Sequence, residues 1–308
     1  MSAGRPRVVV LLATFNGAAY LQEQVETILA QEDVEVRLVV SDDGSVDGSA
    51  AWLDELADED DRVTVLPKAP PSGGAAANFY RLIRDAGIRD GELIAFADQD
   101  DVWLPRKLAT QARLLAELGA DAISGSVLAF EPGGRRRLVK KDYPQRRLDW
   151  LTESPGPGCT FLMTPRLLAL VRRVLAEVPE APRADFHDSL VYAIGRAAGL
   201  RWHIEGEPLV LYRQHESNVM GANQGLAGAR TRLEMIRAHW HREQAIVHAL
   251  AGLAVADDER RADLDRVLPL LRSRSLRDRR ALARLAPQLR RRPRDRFVIG
   301  TLIRLGIW

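Results

Sequence analysis

Apolar residues first gather at Val8 to Ala13, an unbroken run rich in Val and Leu. A run without alternation predicts a strand buried on both faces, as in a parallel sheet. Asn16-Gly17 breaks it, and from Ala18 to Gln31 the spacing turns helical, with Leu21, Val25, Ile28 and Leu29 on one face. Val36 to Val40 is the next strand and ends at Ser41-Asp42-Asp43-Gly44-Ser45; a helix follows over Ser49 to Asp58. Val63 to Leu66 and Leu93 to Ala97 read as strands, separated by a helix over Ala75 to Ala86. Pro105 to Leu118 reads as a helix with proline at its first position. Four alternations of strand and helix predict βαβ units on an open parallel sheet.

From Ala120 the pattern changes. Ile123 to Phe130 reads as a strand, Glu131 to Gln145 as a polar excursion, and Pro155-Gly156-Pro157-Gly158 as a loop. Cys159 to Met163 is a predicted strand, and Pro165 to Glu177 and Asp188 to Ala198 are predicted helices. Trp202 to Ile204 and Pro208 to Tyr212 form short strands; beyond about residue 226 the chain reads as helical and rich in Arg, Ala and Leu.

Composition changes this picture little. The 308 residues are 46% hydrophobic and 28% charged, ordinary for a globular protein with a sizeable core. Charge changes it more. Between Arg272 and Arg304 twelve arginines face two aspartates, an excess of ten positive charges, which leaves the rest of the chain at −8 for the total of +2. Such asymmetry suggests a basic region with its own anionic partner, a membrane face or a phosphorylated lipid; the alternative is a basic helix packed on the catalytic domain. The apolar Phe297 to Trp308 beside charge-dense Arg290 to Arg296 favours interfacial binding. Cys159 is the single cysteine, so nothing suggests an oxidising compartment. The run after Arg5 and Arg7 is too short for a signal sequence, and no stretch approaches the ~18 apolar residues of a membrane span. The expected location is the cytoplasm, with the basic C-terminus a candidate contact to the inner face of the membrane.

In open α/β sheets ligands sit beyond the carboxyl ends of strands. The polar clusters Thr14-Phe15-Asn16, Asp42-Asp43 and Asp98-Gln99-Asp100-Asp101 all fall there. Three carboxylates in four residues repel, which raises some of their pKa values unless a cation sits among them. Mg²⁺ and Mn²⁺ take such oxygen ligands, with substrate phosphates completing the shell. The alternative is a solvated acidic turn that caps the helix near Pro105. Asp42-Asp43 could accept a hydrogen bond from a nucleobase or cap a helix; Phe15 could stack on a base or belong to the core. Asp188, after His187, could take a proton from a hydroxyl or open an apolar helix. In Tyr212-Arg213-Gln214-His215, His215 could ligate a metal and Arg213 could face phosphate.

Taken together, Ala13-Thr14-Phe15-Asn16, Asp42-Asp43-Gly44-Ser45, Asp98-Gln99-Asp100-Asp101-Val102-Trp103, Gly158-Cys159-Thr160, His187-Asp188 and Tyr212-Arg213-Gln214-His215 resemble, in order, the motifs of the family 2 glycosyltransferases. The last four resemble the bacterial rhamnosyltransferase branch. The resemblance spans residues 7 to about 222. It implies a GT-A fold, α/β and Rossmann-like, with a mostly parallel open sheet flanked by helices. The implied domain covers 1–225, its nucleotide-sugar half about 1–120 and its acceptor half about 121–225, followed by a basic helical region over 226–308.

The resemblance further implies that Ala13, Thr14, Phe15, Asn16, Asp42, Asp43, Asp98 and Gln99 hold the donor nucleotide. Asp98, Asp100 and His215 would hold Mg²⁺ or Mn²⁺. Trp103, Gly158, Cys159, Thr160 and His187 would line the acceptor side, and Asp188 would be the catalytic base. The implied reaction is inverting transfer of a sugar from a nucleoside diphosphate, dTDP-rhamnose first and UDP sugars second, to a hydroxyl of a glycan or lipid-linked glycan. No nucleic-acid partner is implied. Phe15 stands where many members have Tyr, and the Gln-x-x-Arg-Trp motif of processive members is missing, which argues for single additions. The rival classes are a nucleotidyltransferase, which needs a glycine- and arginine-rich phosphate loop after the first strand where only Asn16-Gly17 stands, and a non-catalytic nucleotide-sugar-binding scaffold.

Overall fold

A computed structural model describes residues 4–131, 133–215 and 239–308. These divide into two units: residues up to 142 with 156–175 and 200–213, and residues 143–155 with 176–199 and 214–308. The boundary expected at 225/226 lies outside the described residues. The stretches 143–155 and 176–199, expected within the acceptor half, belong to the second unit.

The first unit is built on β1 (Arg7–Thr14), β2 (Glu35–Asp42), β3 (Val63–Val65), β4 (Glu92–Ala97), β5 (Val102–Trp103), β6 (Ala122–Gly125), β7 (Val127–Phe130), β8 (Arg136–Val139), β9 (Leu162–Met163), β10 (Trp202–Glu205) and β11 (Val210–Arg213). Seven of them form one sheet in the order β10-β6-β9-β4-β1-β2-β3. It is parallel except at β9, which runs antiparallel to both β4 and β6. The helices α1 (Leu21–Leu29), α2 (Ser49–Glu59), α3 (Ala75–Asp85), α4 (Lys107–Leu118) and α5 (Pro165–Glu177) supply the connections. Val8 to Leu12 are almost fully buried because β1 lies centrally, with β2 on one side and β4 on the other. That explains the unbroken apolar run: both faces of the strand are covered. Phe79, Phe96, Phe161 and Trp202 follow one another as ring neighbours at 5.5, 6.1 and 5.1 Å.

The strand order carries the functional consequence. The chain steps from β1 outward to β2 and β3, then returns to β4 on the other side of β1. In open α/β sheets such a reversal marks the edge where ligands bind, here the carboxyl ends of β1 and β4. Register places Thr14 opposite Asp42 and Leu12 opposite Ala97. The loops after β1, β2 and β4 therefore leave the sheet at one level.

Local departures from the sequence reading have physical causes. The run Ile123 to Phe130 is not one strand: it breaks at Ser126, so that β6 stays in the large sheet while β7 joins a second sheet, β5-β11-β7-β8. Ser126 donates its N–H to the Glu205 carbonyl at 2.9 Å and its hydroxyl accepts from Lys141 N–H at 3.0 Å. The polar excursion after Glu131 contains β8, a partner of β7. Pro105 does not begin a helix; α4 begins at Lys107, because the Leu104 and Pro105 carbonyls accept from the Gln31 side chain and the Glu32 N–H at 2.8 Å each. Residues 158–160 form a 3₁₀ turn, closed by the Thr160 hydroxyl on the Pro157 carbonyl at 2.7 Å, instead of the start of a strand.

The second unit is helical. Besides α6 (His187–Ala197) it contains α7 (Trp240–Leu253), α8 (Asp258–Arg272), α9 (Leu276–Arg284), α10 (Ala286–Leu289) and α11 (Pro293–Leu305). Its interior holds an ionic network. Fully buried Asp149 lies 3.2 Å from Arg196 and 3.6 Å from Arg291. Arg291 also pairs with Glu153 at 3.0 Å, and Arg290 with Glu153 at 3.6 Å. Among the described residues no helix is long and apolar enough to cross a membrane.

Two histidines make this unit sensitive to acid. His248 is buried; its Nδ1 faces the Leu151 carbonyl at 3.1 Å, which assigns the ring proton to Nδ1. Burial holds the His248 imidazole down to about 4 and His187 to about 3. The unfolded chain protonates them near 6.5, so it binds more protons than the fold does between that value and the folded pKa. Stability from this source is complete above pH 6.5 and falls as pH drops, by roughly 3 kcal/mol for His248 at pH 4. His248→Asn keeps a donor for Leu151 and removes the titration. Denaturant unfolding from pH 7 to pH 4 is expected to show a shallower loss of stability in this variant. Identical slopes would refute the assignment.

Candidate active site

At the end of β1 the chain turns through Asn16, whose φ of 47° lies in the left-handed region that Asn tolerates. Neighbouring loops hold this turn. Asn16 N–H donates to the Ser45 hydroxyl at 2.8 Å, Asn16 Oδ1 accepts from Val46 N–H at 2.9 Å, and Gly17 N–H donates to the Ser49 hydroxyl at 3.0 Å. Asp47 accepts from Ala18 N–H at 2.9 Å and from the Ser49 hydroxyl at 2.6 Å. Asp42 caps the loop after β2, accepting from Gly44 N–H and Ser45 N–H at 3.0 and 2.9 Å. Asp43 is buried, gives its N–H to the Thr14 carbonyl at 2.9 Å and accepts from Ser72 N–H. Thr14, Asn16, Asp42 and Asp43 thus form one interlocked rim.

Gln99 joins that rim to the acidic turn. Its Oε1 accepts from the Thr14 hydroxyl at 2.7 Å and from Phe15 N–H at 2.8 Å, while its Nε2 donates to the Phe15 carbonyl at 3.1 Å. The backbone of Phe15 is clasped at both ends, and its ring stands 53% exposed at the rim. Gly17 is required by this clasp: a Cβ there would lie 2.5 Å from Gln99 Oε1 and 3.0 Å from Thr14 Oγ1.

Behind the rim lies the acidic turn. Asp98 and Asp100 are half-buried and Asp101 is fully buried. Asp101 Oδ1 accepts from Arg213 N–H at 3.1 Å, and its Oδ2 has no hydrogen-bond partner among the described residues. Burial, then the charges of Asp100 and Asp98, push the Asp101 carboxyl well above the usual range. Ligand atoms of Asp98, Asp101 and Cys159 lie within 4.8 Å of one another. Burial and the same carboxylates raise the Cys159 thiol, so it stays protonated at neutral pH and the hard donors are the carboxylates. Crowded aspartates with an orphaned buried oxygen fit a divalent cation. The converging group is Asp98, Asp101 and Cys159; of the expected ligands Asp98, Asp100 and His215 it contains Asp98 alone, and Asp101 was not among those named from the sequence.

Several residues expected on the acceptor side are interior. Trp103, Gly158, Cys159 and Thr160 are all buried. Cys159 sits with the acidic turn, and Thr160 braces its surroundings, accepting from Gly125 N–H at 3.1 Å and giving its carbonyl to Gln111 at 2.6 Å. Arg213 does not present a free guanidinium for phosphate: it lies between the Tyr20 and Phe130 rings at 4.8 and 4.7 Å and donates to the Asp100 carbonyl at 2.8 Å and to Glu23 at 2.5 Å. Sequence reasoning missed Lys107. It is fully buried, with Nζ 3.6 Å above the centre of the Trp103 ring. Burial lowers it to about 7, against the opposing pull of Cys159 and Asp101. Its only trace in the chain is the i, i+4 separation from Trp103.

The second unit carries the remaining candidates. Asp188 is half-buried in the first turn of α6, not at the N-cap, which is Phe186. Its Oδ2 accepts from the Ser154 hydroxyl at 3.0 Å and its Oδ1 from Ser189 N–H at 2.6 Å. His187 beside it is buried, and His215 is half-buried two residues beyond β11.

An open sheet that reverses direction between β1 and β4, with a rim of hydrogen-bonded loops and an acidic turn at the same edge, places this candidate site where α/β sheets bind their ligands. The Glycosyl transferase family 2 model matches residues 9–175, and the chain belongs to this family. It is 34% identical over 244 residues to dTDP-rhamnosyl transferase RfbG of Shigella flexneri, a match covering 78% of this chain and 84% of that protein. Among solved structures, S. aureus TarS 1–349 in complex with UDP-GlcNAc aligns with a TM-score of 0.59 at 17% identity, over 98% of this chain and 88% of that one. Mannosyltransferase PcManGT from Pyrobaculum calidifontis, in complex with GDP-Man and Mn²⁺, aligns with a TM-score of 0.50 at 17% identity, over 98% and 87%. At these identities the structural likeness speaks for the fold.

The clasp predicts a coupling. Gly17→Ala is expected to cost about 1–3 kcal/mol by overpacking. In a Gln99→Ala background that cost falls, with a coupling of about 1 kcal/mol in a double-mutant cycle of unfolding free energies. Additive costs would show that Gln99 does not pack on Gly17.

Proposed function

We propose that this glycosyltransferase moves L-rhamnose from dTDP-rhamnose to a hydroxyl of a glycan or lipid-linked glycan, working at the inner face of a membrane in the assembly of a cell-surface polysaccharide. The observation that carries the donor is the extended match to a dTDP-rhamnosyl transferase, which spans most of both chains. In this reading Thr14, Phe15, Asn16, Asp42 and Asp43 hold the base, Phe15 by offering its exposed ring for stacking. Gln99 fixes the Phe15 backbone, so that the ring is positioned before the donor arrives.

Asp98 and Asp100 would hold Mg²⁺ or Mn²⁺, with the buried Asp101 steadying the turn through Arg213. When bound, such an ion would neutralise charge that gathers on the leaving diphosphate. Asp188 accepts the proton of the acceptor hydroxyl as that oxygen attacks the anomeric carbon from the face opposite the diphosphate, inverting the centre. Its two hydrogen bonds, from Ser154 and Ser189, orient the carboxylate for this task. His187 remains a neutral imidazole at working pH because it is buried.

A positioned general base contributes about 10²–10⁴-fold. Asp188→Asn is therefore expected to lose turnover by that factor while the donor KM stays within about threefold, since no ground-state contact of the donor is removed. A variant with intact turnover and weakened donor binding would remove Asp188 from the base role. A second test is chelation. EDTA is expected to abolish transfer and added Mg²⁺ or Mn²⁺ to restore it; full rate in excess EDTA would take the metal role from Asp98 and Asp100. A thermal-shift screen of nucleotide sugars checks the donor directly: dTDP-rhamnose should stabilise the fold most, and a larger shift with a UDP sugar would reassign it.

A further inference from the structure

The last helices of the second unit sort their residues in an unusual way. Along α11 the inward face is Ile299, Gly300 and Ile303, all buried. A Cβ on Gly300 would lie 3.2 Å from the Ala286 Cβ, so this face sits tightly on its neighbours and cannot rotate outward. The opposite face is apolar as well. Phe297 is 76% and Leu305 64% exposed, with Val298 between them and Ile307 just beyond the helix. Arg294 and Arg304 flank this stripe and are exposed. On α9, which packs along α11, Leu276, Arg280 and Arg284 recur at i, i+4 and i+8, all exposed, with Arg277 beside them.

The arginines of this region fall into two groups. Arg290 and Arg291 are bound to Glu153 inside the unit, and Arg296 gives its Nε–H to the Arg290 carbonyl at 3.0 Å. They are not available to a partner. Arg280, Arg284, Arg294 and Arg304 have no ion pair among the described residues. The acid within α9, Asp278, is occupied by the Ser273 and Ser275 hydroxyls at 2.6 and 2.7 Å.

We infer that α9 and α11 form a docking surface for an anionic lipid bilayer, with Phe297, Val298 and Leu305 entering the headgroup boundary and Arg277, Arg280, Arg284, Arg294 and Arg304 meeting the phosphates. Charge complementarity selects this occupant. Large exposed apolar side chains flanked by unneutralised arginines suit an interface that is apolar inside and negative at its surface. A second copy of the chain would bring the same positive charge to the contact and be repelled. This surface deepens the reading that the acceptor is lipid-linked and rests on it for its purpose, though not for its geometry.

The test is co-sedimentation of the full-length protein with vesicles of phosphatidylcholine, alone or mixed with phosphatidylglycerol. Binding is expected with the mixed vesicles only and should weaken as salt is raised. Phe297→Ser/Leu305→Ser and, separately, Arg280→Glu/Arg284→Glu should each lower binding about tenfold or more. All four positions are exposed, so the thermal midpoint should stay unchanged, which separates lost docking from lost folding. Arg296→Gln serves as the contrast, with vesicle binding unaltered. Equal binding by all variants, no binding to mixed vesicles, or a dimer in analytical ultracentrifugation that Phe297→Ser/Leu305→Ser dissolves would each overturn the surface. Vesicle binding by a protein that no nucleotide sugar stabilises would sink the enzymatic reading and leave the surface standing. Nucleotide-sugar binding without vesicle binding would do the reverse.

Discussion

Like charge crowded at the end of β4 is the constraint around which the first unit is arranged. Asp98, Asp100 and Asp101 leave the sheet within four residues, and one of them is fully buried. A buried carboxylate costs free energy unless something compensates it. Here compensation arrives from several directions: the Arg213 N–H reaches Asp101, the Arg213 guanidinium holds the Asp100 carbonyl, and Lys107 lies buried over Trp103 nearby. Burial first, and then the charges of Asp100 and Asp98, still raise the Asp101 carboxyl. A cation bound among these side chains would favour their charged forms. The second sheet bears on the same turn: β11, paired with β5, ends at Arg213, which reaches Asp101 and the Asp100 carbonyl.

The rim shows how neutral groups finish the work. Gln99 sits amid three aspartates and cannot add to their charge, yet it contributes a donor and an acceptor at the right separation to clasp the N–H and the carbonyl of one residue, Phe15. A carboxylate in its place would repel the Phe15 carbonyl, and a shorter amide would not span both ends. Gly17 is then fixed by the volume of Gln99 rather than by any demand of its own backbone. The exposed Phe15 depends on this arrangement for its place at the rim, since Gln99 holds its backbone at both the N–H and the carbonyl.

Much of this was legible in the chain because it is written in periodicity. Continuous apolar runs marked β1, β2 and β4, and polar clusters marked their carboxyl ends, so the location of the site followed from the sheet. What could not be read has a common cause: it depends on partners distant in sequence. Ser126 divides one apparent strand in two because Glu205, 79 positions later, holds its N–H. Pro105 looks like a first helical residue until Glu32 takes its carbonyl. Lys107 carries no local sign of burial, since a lysine at a helix start is ordinarily solvated. Trp103 and Thr160 carry no local sign of burial either: both are interior, Trp103 under Lys107 and Thr160 holding Gly125 N–H and Gln111.

The arginines of the second unit make the same point about charge. Counting them along the chain gives a basic block from Arg272 to Arg304, densest at Arg290 to Arg296. Part of the densest stretch is engaged internally, because Glu153 and Asp149 draw Arg290 and Arg291 inward and backbone carbonyls engage Arg296, while Arg292 and Arg294 stay exposed. Net charge in sequence is therefore a poor map of the field at a surface. What remains outside is a smaller set on α9 and α11, interleaved with Phe297 and Leu305. The close approach of Gly300 to Ala286 fixes which face of α11 is turned inward and leaves Phe297 and Leu305 in solvent. Such exposure is tolerable in a protein whose working partner, once bound, takes that surface out of water.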